Sequence, residues 1–218
     1  KRQGKTLPFE SKMAQAATML KEVHNYFQQS VLVVTDSWFG NNGLWSRLDR
    51  GDDGCFHLLS RMRTNIILYD FAPAPTKKRK AGRPRKYGER FGSGYSCATR
   101  GKEKEQTYTA FLYGKKREVL AYSQTVMLKT MKCPVRVVWC YRKTRYVALM
   151  TTDLTLSVEQ IIEYYGARWK IESGFKEIKQ EIGSSKSQVR NADAVLNHRN
   201  LCMMATTLKW IYADRLKS

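Results

Sequence analysis

The stretch YYGARWKIESGFKEIK, residues 164–179, mixes aromatic, basic and acidic side chains inside a single helical pattern. A start signal precedes it at SVEQ, where Ser157 can cap the first turn and Gln160, three residues on, can reach back as in a capping box. From there the 3.6-residue period predicts helix as far as Gly183, a natural stop. At about 100° per residue, Tyr164, Ala167, Ile171, Phe175, Ile178 and Ile182 form one apolar stripe, the expected core face. Tyr165, Arg168, Glu172 and Lys179 then share an arc of roughly 60° beside it. Arg168 and Glu172 alone could be an ordinary i, i+4 ion pair, worth a few tenths of a kcal/mol. The set of four, with a carboxylate on a basic face, asks for a further explanation.

The rest of the chain supplies the context. Its 218 residues suffice to bury a core, and 42% are hydrophobic, which excludes a disordered tail. Against 19 Asp and Glu stand 39 Lys and Arg, a net charge of +20 that predicts a polyanionic partner, nucleic acid before membrane. No apolar run approaches the roughly 18 residues of a spanning helix, and no apolar segment follows the charged opening KRQGKTLPFE. Cys55, Cys97, Cys133, Cys140 and Cys202 are odd in number and form no C-x-x-C pair, the usage expected of reduced thiols in a cytoplasmic protein. His24, His57 and His198 are too scattered to suggest a local metal cluster.

Upstream, residues 11–28 carry helical spacing behind Ser11, and VLVV at 31–34 reads as a buried strand ending at Thr35 and Asp36. NNGLWSRLDRGDDG predicts a turn, a short helix and a loop; FHLLSRM and NIILYDF predict strands. Residues 73–106, which include PAPTKKRKAGRPRKYGERFGSG, are rich in Pro, Gly and charge and predict an exposed, mobile basic loop. Strand patterns resume at YTAFLYG, EVLAYSQTVML, VRVVWCYR and RYVALMTTD, a mostly antiparallel block, and residues 188–216 predict a last helix.

The spacing Y-x2-R-x3-E-x6-K of Tyr165, Arg168, Glu172 and Lys179 resembles the signature of the DDE transposases of bacterial insertion sequences. VLVVTDSWFG, with its acid Asp36 after a buried strand, and the segment 151–183 are similar to that family as well. The resemblance implies an α/β fold: a ribonuclease H-like mixed sheet with flanking helices and a β-rich insertion. It divides the chain into 1–62, the second part of the catalytic core; 63–152, the insertion with its basic loop; and 153–218, the C-terminal helices of the core. It also implies metal-dependent cleavage and strand transfer of DNA, with Asp36 and Glu172 as catalytic residues and ligands of two Mg²⁺ ions, for which Mn²⁺ can substitute. Hard divalent ions want oxygen ligands, and they offset the repulsion between these acids and DNA phosphates. That accounts for the carboxylate on a basic face.

By the same resemblance Tyr165, Arg168 and Lys179 hold DNA, and Trp139 in VRVVWCY holds a base flipped from the transposon end. Lys77, Lys78, Arg79, Lys80, Arg83, Arg85 and Lys86 in the basic loop are expected to clamp phosphates, with GRP there similar to the core of an AT-hook. The partners implied are double-stranded DNA at transposon ends and target DNA, bound by a homodimer, and no membrane. The family uses three acids, and no Asp precedes Asp36. The expectation is therefore a C-terminal fragment, lacking the first strands of the sheet and inactive alone. A DNA-binding relative without chemistry, or a nuclease of the same fold that never joins strands, is the alternative.

Overall fold

The computed structural model describes residues 9–48, 54–74, 85–188 and 190–216. The chain divides into two compact units, residues 1–166 and 167–218. An eight-stranded mixed sheet with flanking helices makes up the first, in keeping with the α/β, ribonuclease H-like expectation.

That unit opens with helix α1, Lys12–Phe27, whose N-cap Ser11 accepts a hydrogen bond from the Ala14 N–H at 3.2 Å. Ala17 is buried, and Met13, Ala16 and Leu20 pack on the core behind it, so the 3.6 period has its intended effect. Strand β1, Val31–Thr35, pairs in parallel with β2, Phe56–Arg61; the short helix α2, Asn42–Trp45, lies between them in sequence. Every other pairing is antiparallel: β3 (Ile67–Tyr69), β4 (Arg90–Ser93), β5 (Gln106–Leu112), β6 (Lys115–Leu128), β7 (Cys133–Arg142) and β8 (Arg145–Thr151). The sheet order is β1-β2-β8-β7-β6-β3-β4, with β5 on the outer part of β6. The strands of 1–62 and of 63–152 thus share a single sheet.

Period-2 alternation places the two cores. Val33, Phe56, Leu58, Val135, Val137, Trp139 and Met150 point to the face covered by α1, α2 and helix α3 (Gly94–Gly101). Leu59, Ala121, Val138 and Leu149 point to the other, where Val158, Ile161 and Ile162 of helix α4 (Val158–Ala167) close a second cluster. The capping box forms as expected: the Gln160 N–H donates to Ser157 Oγ at 3.2 Å, and the Ser157 N–H donates to Gln160 Oε1 at 2.9 Å.

Three expectations need correction. The loop expected over 73–106 instead forms β4 and α3 in its second half. Ser93 caps α3, Cys97 and Ala98 bury against the sheet, and those apolar contacts outweigh the local Gly and charge content. Lys77, Lys78, Arg79, Lys80 and Arg83 lie outside the described residues, while Arg85 and Lys86 are exposed. Trp139 is the second. It is fully buried, stacks on Tyr122 at 5.6 Å, and donates its indole N–H to the Gly94 carbonyl at 3.1 Å. It is a pillar of the core and presents no face to a DNA base. Beside it, burial pushes the Cys140 thiol up to about 12, so this sulfur stays protonated and unreactive at neutral pH.

The third concerns the signature helix. The run is interrupted at Arg168, between α4 and helix α5 (Trp169–Lys176), and continues as a π-helical turn, Glu177–Glu181. With helix α6 (Ala192–Arg215), α5 and that turn make up the second unit. Two helices have one seam, which buries Gly174, Cys202 and Thr206; Ile171 and Phe175, expected in a core, stay 55% and 59% exposed. An ionic clamp closes the seam. Glu177 accepts from Lys209 at 2.6 Å and from the Trp210 indole at 2.9 Å, and Lys209 also meets Glu181 at 3.1 Å. The Lys209 ammonium and the Trp210 N–H hold the Glu177 carboxyl below the usual carboxylate range.

Candidate functional site

In the first unit the site is built on the turn that ends β1. Asp36 is exposed, and its Oδ1 accepts the N–H groups of Trp38 at 2.9 Å and Phe39 at 3.1 Å, the geometry of an Asx turn. Its carbonyl accepts the Gly40 N–H at 3.0 Å and the hydroxyl of Ser60, a fully buried residue of β2, at 2.9 Å. The acid is therefore pinned by backbone on three sides through one carboxylate oxygen and one carbonyl. Oδ2 takes no part in these bonds and remains for a ligand.

Gly40 makes the pinning possible. A Cβ there would lie 1.8 Å from Ser60 Oγ and 3.0 Å from the Asp36 carbonyl oxygen, so only a residue without a side chain lets the turn press on β2. Gly40→Ala should push Ser60 off the Asp36 carbonyl and cost about 1–3 kcal/mol of stability. Urea unfolding of the two proteins measures it. An unchanged midpoint would mean that the turn and β2 are not in register as described.

Beside the turn opens a cavity of about 620 Å³, lined among others by Ser37, Asn42, Arg63, Tyr69, Lys129 and Met131. Sequence reasoning passed over Arg63 and Lys129, since each sits singly in a connection between strands; only the folded sheet brings them to one opening. Tyr165, the first signature residue, belongs to this unit and is half-buried against the α4 cluster.

The second unit holds the other three. Glu172 is exposed on α5, where its Oε1 meets Arg168 at 3.3 Å, one turn back. The Arg168 guanidinium also lies 5.6 Å from the centroid of the Trp169 ring, which fixes its orientation. Arg168 and Glu172 thus come together as the i, i+4 spacing requires. Lys179 is exposed inside the π-helical turn, where Ile182 donates to the Glu177 carbonyl five residues back at 3.0 Å. This turn is wider than the helix of 100° per residue on which the expected arc was drawn.

Metal fit rests on donor chemistry. Asp36 Oδ2 and Glu172 Oε2 are carboxylate oxygens outside the hydrogen bonds described, the donor type that hard divalent cations take. Among the described residues no three His, Cys, Asp or Glu side chains converge into a ready metal cluster. No helix of the described residues is long and apolar enough to cross a membrane.

The family model for the transposase DDE domain matches residues 10–208, most of the chain and both units. No curated protein matches it.

Proposed function

We propose that this chain, which belongs to the transposase DDE domain family, cuts DNA at transposon ends and joins those ends to target DNA. Membership makes it a transposase of the polynucleotidyl transferase class. The observation that supports the finer reading is Asp36, an exposed acid at the end of a sheet strand that is pinned by two N–H groups on one carboxylate oxygen.

Asp36 and Glu172 would hold Mg²⁺ or Mn²⁺, two ions in all, which when bound neutralise charge on the attacking and leaving oxygens of a phosphoryl transfer. Tyr165, Arg168 and Lys179 would hold the DNA backbone near the cleaved end, Arg168 by its planar fork and Lys179 as a point charge. Lys77, Lys78, Arg79, Lys80, Arg83, Arg85 and Lys86 would clamp phosphates without reading sequence, and a homodimer would hold the two ends. The chain's part of the chemistry is to orient the phosphodiester against Asp36 and Glu172 and to place cations along the strands.

The test is strand transfer from a labelled transposon end, run on the full-length protein, with Mg²⁺ and with the ion chelated. Metal-dependent joining is expected, and binding alone once the ion is chelated. Cleavage without joining would make the protein a nuclease of this fold, and binding without either would make it a non-catalytic relative.

A further inference from the structure

We propose that the end of the sheet where β1 delivers Asp36 is a track for duplex DNA. It runs from Arg61 and Arg63, past the β7–β8 turn, to the tip of the β5–β6 hairpin. This rests on the DNA substrate of the preceding reading and adds to it a surface one helical turn away from Asp36.

Strand registers bring these segments to one end. β1 runs parallel to β2, and β2 lies antiparallel to β8 with Arg61 opposite Leu149, so both strands point toward Arg145, the first residue of β8. β7 ends there, Arg142 opposite Arg145. β6 begins at the same end, since Leu120 lies opposite Tyr141 and its earlier residues pair with β5 instead. From Lys115 to Val119, then, β5 and β6 form a two-stranded ribbon beyond the edge of β7. Positive φ angles at Tyr113 and Gly114 make its tight turn.

The charge at this end is predominantly positive. Lys115, Lys116 and Arg117 lie on the ribbon, Arg142, Lys143 and Arg145 at the next turn, and Arg61 and Arg63 at the end of β2; all are exposed. Among the described residues none of them has a carboxylate partner. Glu118 is the acid among them, and Glu163 of α4, which also reaches the ribbon, is taken by the Phe111 N–H at 2.6 Å. Uncompensated cations at one edge repel one another, and a line of phosphates relieves that repulsion. Two aromatics stand among them: Tyr113 is 64% exposed with the Arg117 guanidinium 5.8 Å from its ring centroid, and Phe111 is 57% exposed. Such rings pack on sugars or bases where cations hold the backbone.

The span suits a duplex. Thr35 lies level with Ser60 and hence with Met150; four residues along β8 lead to Tyr146, level with Tyr141 and Leu120, and five more along β6 lead to Lys115. Nine residues at about 3.3 Å give roughly 30 Å along the strands, and the four spacings from β1 to β6 add about 19 Å across them, roughly 35 Å in all. That is close to one turn of B-DNA, about 34 Å.

Two triple variants test the track: Lys115→Ala with Lys116→Ala and Arg117→Ala, and Arg142→Ala with Lys143→Ala and Arg145→Ala. Anisotropy titrations use a duplex of about 30 base pairs, roughly three helical turns, over a range of salt. Each variant should bind about tenfold more weakly, with a log-log salt slope shallower by about 0.9 per lost contact. Thermal midpoints should not move, because these side chains are exposed. Unchanged affinity and slope in both variants overturn the track while leaving the DNA substrate intact. So does self-association of a variant with undiminished DNA affinity, which would make the cations guards of an open strand edge. If the wild-type chain binds phosphatidylserine vesicles and no duplex, the track falls and the proposed DNA substrate falls with it.

Discussion

Glu172→Gln in the full-length protein should lower metal-dependent DNA cleavage by about 1,000-fold or more, since on the proposed function it removes a charged metal ligand and with it several kcal/mol of transition-state stabilisation. DNA affinity should stay within about twofold, because a ligand to metal makes little direct contact with phosphate. The fold should not suffer either. Glu172 is half exposed and its pairing with Arg168 at 3.3 Å is a surface ion pair, whose loss costs at most about 1 kcal/mol. The amide keeps an acceptor for the Arg168 guanidinium. Nicking of a labelled transposon end in Mg²⁺ and in Mn²⁺, beside a binding titration, measures both quantities. Wild-type cleavage by the variant would remove Glu172 from the chemistry.

The second large effect falls on stability. Trp139→Ala should cost about 3–5 kcal/mol, the range for deleting a large aromatic from a packed core. Trp139 is fully buried, rests on Tyr122, and anchors α3 through the Gly94 carbonyl. Trp139→Phe keeps most of the volume and loses the hydrogen bond, so about 1 kcal/mol is expected. Guanidinium unfolding ranks the three proteins. A DNA-facing tryptophan would instead leave stability within about 0.5 kcal/mol and change binding. Equal midpoints for wild type and Trp139→Ala would contradict the core placement.

How much was legible depended on how local the cause was. Ser11 and the Ser157–Gln160 box act across three residues, and both form as read. The β5 to β8 strands announced themselves by period-2 patterns and basic turns. β4 and α3 did not: RFGSGYSCATR reads as a loop until Trp139 and Tyr141, some 45 and 43 residues later in sequence, supply hydrogen-bond donors to the Gly94 and Ala98 carbonyls. The apolar stripe through Ile171 and Phe175 was visible, but periodicity reports a face and not what covers it. The π-helical turn was invisible because its cause is tertiary: Lys209 and Trp210 on α6 grip Glu177. At the site, Asp36 and Glu172 stood out by type and spacing, whereas Arg63 and Lys129 meet only through sheet topology.

The turn at Asp36 also governs the ways in which copies of this gene can decay. Asparagine there would still accept the Trp38 and Phe39 N–H bonds through its amide oxygen, so a single change removes the charge and leaves the fold. On the proposed function, such a copy would occupy transposon ends without cutting them and compete with copies that keep Asp36. Replacing Gly40 instead drives a side chain into Ser60 and damages the protein that carries it. On that reading, within five residues one lesion creates an inhibitor and the other an unstable chain, and only the first can restrain an element from within its own lineage.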